Sequence, residues 1–180
     1  MNIKLYILLF LSLLTFTSIN NQSGNSEFRD TQSTLKALYI YNFATLTDWP
    51  SSYKKNDFTI AILSSNDYVY KELTKKYNGK SIGGQKIQIV RYLSPDHIEE
   101  PNILFLDKSS SKLLSAVNTK LKSTSTLFIT NKPNALNMGA IINFVEIDNK
   151  QSYEINVRNA KKKKLVIASR LIDLAIKKIE

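Results

Sequence analysis

Three short stretches of this chain are almost wholly apolar: Phe58–Leu63 (FTIAIL), Ile103–Leu106 (ILFL) and Thr126–Thr130 (TLFIT). A strand with one wet face alternates apolar and polar residues. Runs this continuous and this short, with β-branched residues among them, call for strands covered on both faces. That is the condition of a parallel sheet, whose crossovers lay helices on either side. The intervening segments fit. Ser64, Ser65 and Asn66 offer caps to a helix over 67–77, with Tyr70, Leu73 and Tyr77 on one side and Asn78-Gly79 as its stop. Gly83-Gly84 then turns into Lys86–Tyr92, a loosely alternating and less buried strand. Asp107–Ser111 caps a helix to about Leu121 that turns Leu113, Leu114 and Val117 inward. The expected fold is therefore α/β: a three-layer sandwich with a mostly parallel central sheet and flanking helices.

Ahead of the first strand, TLKALYIYNFATLTDWP (Thr34–Pro50) brings Leu35, Leu38, Tyr39, Asn42, Phe43, Leu46 and Trp49 to steps of three and four, a helical stripe. Pro50 should end it, since proline disfavours a helical residue before it. Trp49, the chain's one tryptophan, is expected to anchor the exit in the core beside Phe43. Tyr41 lies off that stripe and should be exposed or half-exposed, a candidate contact residue.

The rhythm changes after residue 130. Gly139 precedes Ala140–Ile147, Asp148-Asn149 is a two-residue hairpin turn, and Ser152–Val157 returns with Tyr153, Ile155 and Val157 on one face. An antiparallel hairpin is expected here. Leu165, Ala168, Ser169, Ile172, Ala175, Ile176 and Ile179 keep helical spacing to the C-terminus. Lys161–Lys164 would sit badly at a helix N-terminus, where the dipole disfavours cations, so a turn is expected there and a helix after Leu165.

The 180 residues suffice for one domain. Residues 1–20 carry one Lys, at position 4, and an apolar run from Leu5 to Phe16 that is too short to cross a hydrocarbon core of about 30 Å. That is the pattern of a cleaved signal peptide, with cleavage between Thr17 and Ser23 and export of the mature chain. Residues 21–33 read as a flexible, polar lead-in, and 34–180 as the single domain. With no cysteine, the chain has neither a lipoprotein attachment residue nor a disulfide. The net charge of +10 would suggest nucleic acid in the cytoplasm. After export it points instead to acidic protein surfaces, anionic lipid or acidic polysaccharide, and no nucleic-acid partner is expected.

Three blocks, in order, resemble the YfiR/HmsC-like family of small exported proteins. The first runs from Lys36-Ala37 through Asn42-Phe43-Ala44 to Asp48-Trp49-Pro50. The second is Gly139, then Ile142-Asn143-Phe144, then Tyr153-Glu154-Ile155-Asn156. The third is Ala160, then Leu165, Ile167, Ser169, Leu171-Ile172 and Leu174-Ala175. Family members often carry Gly just before the leucine of the third block, where this chain has Lys164; some carry paired cysteines, absent here. The resemblance implies a YfiR-like α/β domain and a non-catalytic regulator. Characterised relatives are periplasmic and repress a membrane-bound diguanylate cyclase through its periplasmic sensor domain, controlling biofilm formation; others accompany sensor kinases. A homodimer and a small-molecule ligand stay open, and a periplasmic small-molecule binding protein is the alternative reading.

The residues themselves carry no nucleotide-binding glycine motif, nucleophile elbow or cysteine nucleophile, and no cofactor is expected. Asp96, His97, Glu99 and Glu100 lack zinc-type spacing and read as a solvated loop. Lys161, Lys162, Lys163 and Lys164 are a solvated basic run or, with Tyr41, the contacts to a partner. Asn143 and Asn156 either satisfy backbone groups or touch a ligand. Any small ligand should sit beyond the carboxyl ends of the parallel strands, near Ser64–Asn66, Asp107–Ser109 and Thr130–Asn131.

Overall fold

A computed structural model describes the backbone of residues 22–180 and the side chains from residue 31. The expected signal peptide lies outside the described residues. Residues Gln32–Glu180 form one compact unit; Met1–Thr31 fall in another, of which only the start of the first helix is described. The elements run α1 (Gln22–Thr45), β1 (Thr47–Asp48), β2 (Phe58–Leu63), α2 (Tyr68–Tyr77), β3 (Ser81–Ile82), β4 (Gln85–Tyr92), β5 (Ile103–Leu106), α3 (Leu114–Lys120) and β6 (Leu127–Thr130). They continue with β7 (Ile142–Ile147), β8 (Lys150–Asn156), α4 (Val157–Lys162), β9 (Val166–Ile167), α5 (Ser169–Asp173) and β10 (Lys177–Ile179).

An eight-stranded sheet has the order β10-β8-β7-β6-β5-β2-β4-β3. From β4 to β7 it is parallel; the β7–β8 hairpin and the β3–β4 ribbon are antiparallel, and β10 joins β8 in parallel. Both hairpin turns use left-handed residues, Gly83-Gly84 at φ 56° and 85° and Asp148-Asn149 at φ 49° and 58°, as two-residue turns require. Alternate strand residues serve two cores. Ile60, Ile62, Ile103, Phe105 and Ile129 face α1 and α2, while Ala61, Leu63, Leu104, Leu106 and Phe128 face α3. Both faces are covered, which is why these strands read as unbroken apolar runs.

The first helix differs from its sequence reading in extent and phase. It already runs from Gln22, taking in most of the stretch read as a flexible lead-in, and it ends at Thr45, before Pro50. Leu46–Asp48 leave it because β1 pairs with β9 (Thr47↔Ile167) and the Leu46 carbonyl accepts from Ala168 N. The buried stripe is Ser33, Ala37, Ile40, Phe43 and Ala44; Leu35, Leu38 and Asn42 are exposed. The segment is apolar nearly all round, so spacing alone leaves the phase open. The smaller Ala37 and Ala44 let the helix approach the sheet closely. Trp49 and Phe43 are core residues, as expected. Trp49 packs edge-on against Phe58 at 4.9 Å and donates Nε1–H to the Asn102 carbonyl at 3.2 Å. Pro50 opens a single 3-10 turn, Ser51–Lys54.

The C-terminal quarter is corrected further. Residues 165–179 form no continuous helix but β9, the short α5 and β10. Their spacing suits a helix, yet β10 fills the open edge of β8 and Ile176 N donates to the Tyr153 carbonyl at 3.0 Å. The basic run also falls at the opposite helix end. Lys161 and Lys162 form the last turn of α4, where the dipole favours cations. Lys164 follows at φ 58°, the conformation that a glycine at this position adopts without strain.

Candidate functional site

β7 pairs with β6 only through Ile129↔Ile142 and Thr130↔Asn143, so the rest of the β7–β8 hairpin overhangs the carboxyl end of β6. Beneath the overhang lies a cavity of about 530 Å³, bounded by Gln32 and Lys36 of α1, Lys108 after β5 and Asn131 after β6. Phe144 and Glu154 of the hairpin close another side. The volume is in the range of small-ligand sites.

The neighbouring strand ends are closed by their own polar groups. Asp107, 8% exposed at the end of β5, accepts from Ser109 N at 3.0 Å, Asn66 Nδ2 at 3.1 Å and Asn131 Nδ2 at 3.4 Å. Ser64 Oγ stands 3.1 Å from Ser109 Oγ. Burial pushes the Asp107 carboxyl up, but the hydrogen bonds of Ser109, the charge of Lys36 and the Asn66 bond together hold it below its ordinary value. Of the strand ends marked from sequence, those of β2 and β5 are thus internally satisfied, and the open volume lies one strand further along.

Lys36 is half-buried on the cavity wall. Burial lowers its pKa; Asp107 and Glu146 oppose that, and Lys108 adds to it. The carboxylates nearby are engaged: Glu146 accepts from Gln32 Nε2 at 3.0 Å, and Glu154 accepts from Asn143 Nδ2 at 3.3 Å and stands 4.0 Å from Lys177. Asn131 Oδ1 is buried without a donor. Lys36 and Asn131 thus line one space, Lys36 drawn electrostatically by Asp107 and Glu146 and Asn131 with its Oδ1 closed off from solvent. Sequence reasoning marked Asn131 through the strand-end rule and missed Lys36, whose place on the cavity wall arises only from tertiary packing.

The two asparagines read from the hairpin serve backbone groups. Asn143 Oδ1 accepts from Thr130 Oγ1 at 2.8 Å and Lys132 N at 3.0 Å, and the side chain also walls the cavity. Asn156 caps α4, accepting from Asn159 N at 2.9 Å, and donates to the Leu136 carbonyl at 3.2 Å. Phe144 is buried, Ser169 opens α5 on the surface, and Asn42 lends its carbonyl to Leu46 N. Gly139 has φ 101°, and a Cβ there would fall 2.2 Å from Asn118 Oδ1.

Tyr41 is half-buried and stacked on Tyr77, ring centroids 4.2 Å apart. Lys161, Lys162 and Lys164 are exposed. Lys163 is turned inward and donates to the carbonyls of Leu121 and Lys122, closing the end of α3. Among the described residues no hydrogen bond, ion pair or ring contact joins Tyr41 to these lysines. Asp96, His97, Glu99 and Glu100 are all exposed. Among the described residues no cluster of three or more His, Cys, Asp or Glu side chains could hold a metal, and no helix is long and apolar enough to cross a membrane.

A family model described as YfiR/HmsC-like matches residues 33–176, nearly the whole compact unit. No curated protein matches the chain.

Proposed function

We propose, from the premise that this chain belongs to the YfiR/HmsC-like family, that it is an exported, non-catalytic regulator of a membrane signalling protein. It binds the periplasmic sensor part of a diguanylate cyclase or a sensor kinase. The observation that carries this reading is the extent of the family match, which begins inside α1 and ends beyond α5. The apolar residues 5–16 and the absence of cysteine support export to the periplasm without a lipid anchor.

Such a regulator needs no chemistry of its own. Binding one state of the sensor more tightly than the other shifts the sensor's equilibrium by that difference in affinity. The candidate contacts are Tyr41 and the exposed Lys161, Lys162 and Lys164. Lys163 supports them through the Leu121 and Lys122 carbonyls it holds just after α3. Exposed lysines facing an acidic sensor surface make association salt-sensitive.

The test is affinity capture from detergent-solubilised membranes at low and high ionic strength. Retention of a membrane protein with an extracytoplasmic segment and a cyclase or kinase output, weaker at high salt, is the expected result. Absence of any such protein at either ionic strength overturns the reading.

A further inference from the structure

We propose that the basic surface where α3 and α4 end docks onto a layer of anionic lipid headgroups. This goes beyond binding of a sensor protein and needs no such protein.

Two acid-free segments build the surface. No Asp or Glu occurs between Asp107 and Glu146, nor between Glu154 and Asp173, although these segments hold Lys120, Lys122, Arg158 and Lys161–Lys164. The fold brings them to one end of the sheet. α3 stops just before β6 begins, and β8, antiparallel to β7, delivers α4 to the same end. Lys163 ties the two helix ends together, its Nζ donating to the Lys122 carbonyl at 3.0 Å and to that of Leu121. Lys120, Lys122, Lys161, Lys162 and Lys164 flank this tie along the chain, and all are exposed.

The charge is not cancelled where it lies. The ion pairs among the described residues use Lys54, Lys71, Lys76, Lys177 and Lys178, and none uses a lysine of this surface. Three acids border it. Asp96 offers Lys120 its carbonyl at 3.3 Å while its carboxylate accepts from Ser94 Oγ at 2.9 Å. Glu180 offers its carbonyl to Arg158. Glu100 accepts from Tyr53, whose hydroxyl in turn accepts from Ser125 N at 2.9 Å. The lysines and Arg158 outnumber these acids, so the surface stays positive.

The residue types favour lipid over protein. Residues 108–125 and 157–170 contain no Trp, Tyr or Phe, and their cations are mostly lysine. Protein contact cores are depleted in lysine and draw their energy from Trp, Tyr and Arg. A headgroup layer instead attracts clusters of about four to eight basic residues, each worth about fivefold in affinity. Such a layer is fluid and imposes no fixed geometry, which suits flexible, strongly hydrated ammonium groups. A membrane-embedded sensor lies in the same layer, so lipid contact would bring the domain beside it.

The experiment uses the chain beginning after residue 20, which keeps the compact unit Gln32–Glu180 and omits the apolar residues 5–16 that would bind lipid themselves. Co-sedimentation with mixed phosphatidylglycerol–phosphatidylcholine vesicles is compared with pure phosphatidylcholine at about 0.05 M and about 0.5 M salt. Affinity for the anionic vesicles should be at least tenfold higher at low salt and should fall at least tenfold at high salt. The variant with Lys120→Gln, Lys122→Gln, Lys161→Gln and Lys162→Gln should melt like the parent and lose at least tenfold in affinity. A control with Lys55→Gln, Lys75→Gln, Lys80→Gln and Lys86→Gln removes as much charge elsewhere and should bind like the parent. If the first variant fails to fold, Lys161→Gln with Lys162→Gln must show at least a threefold loss. Equal binding to both vesicle types, binding to neither, or equal loss in the two variants overturns the proposal. Retention of a sensor protein by a chain that ignores anionic vesicles would assign the surface to protein and overturn it as well. The vesicles contain no protein, so this proposal and the sensor reading fail separately.

Discussion

The amide of Leu165 donates to the carbonyl of Ala160 at 3.0 Å, reaching back across Lys164. With Lys164 N bonded to the Lys161 carbonyl at 2.9 Å, this closes α4 with paired reverse bonds, and the buried Leu165 and Ala160 side chains both lie in the core. The closure needs a left-handed residue between them, and Lys164 takes that role at φ 58°. Lys164→Gly should therefore stabilise the protein by about 1 kcal/mol, because only the side chain makes this conformation costly. Lys164→Val should destabilise it by more than that. Urea unfolding midpoints measure both.

Asn102 ties the helix exit to the sheet. Its carbonyl accepts from Trp49 Nε1 at 3.2 Å and Leu127 N at 2.8 Å, while its side chain accepts from Thr59 N at 2.9 Å. Asn102→Ala leaves the Thr59 amide without its acceptor and should cost about 1–3 kcal/mol. Trp49→Phe keeps most of the buried ring and loses one donor, a cost of about 1 kcal/mol. Trp49→Ala should cost about 3–5 kcal/mol. Chemical denaturation of the three variants checks the order.

Gly139→Ala combines two penalties. Its φ of 101° disfavours any side chain, and the new methyl would meet Asn118 Oδ1 at 2.2 Å. Adding Asn118→Ala should recover the steric part and leave the backbone part, about 1 kcal/mol or more. A double-mutant cycle on thermal stability separates them; full recovery would place the whole cost in the contact.

Much of this was legible in the sequence. Strands buried on both faces must be apolar throughout, so β2, β5 and β6 announced themselves. Both two-residue turns did so through glycine, aspartate and asparagine. The phase of α1 was hidden because Leu35, Leu38 and Leu46 outweigh Ala37 and Ala44 in hydrophobicity, while closeness of approach favours alanine. The C-terminal segment misled because Leu165, Ile172 and Ala175 fit a helical stripe, and the vacancy at the edge of β8 is a tertiary fact. The candidate site was half legible. Asn131 follows from strand polarity, but nothing local places Lys36 on the cavity wall.

Tyr153 gives a pH signature. Its hydroxyl donates to the Leu171 carbonyl at 2.7 Å, and burial, with a smaller push from Tyr39, raises its pKa to about 12. A folded-state pKa above the unfolded value of about 10 means that stability is complete below pH 10 and declines as pH rises toward 12. Tyr153→Phe should flatten that decline while costing about 1 kcal/mol at neutral pH. Thermal melts between pH 8 and 12 provide the measurement, with no contribution expected from this group on the acid side.

The claim that the protein acts outside the cytoplasm by touching a membrane signalling protein is tested most directly by crosslinking in living cells. Two tagged forms are compared, the full chain and one beginning after residue 20. The account predicts that only the full chain is shortened at its N-terminus and crosslinks to a membrane protein with a periplasmic sensor segment. Recovery of the full-length, unshortened chain in the cytosol, crosslinked alike in both forms or to soluble proteins alone, would contradict it.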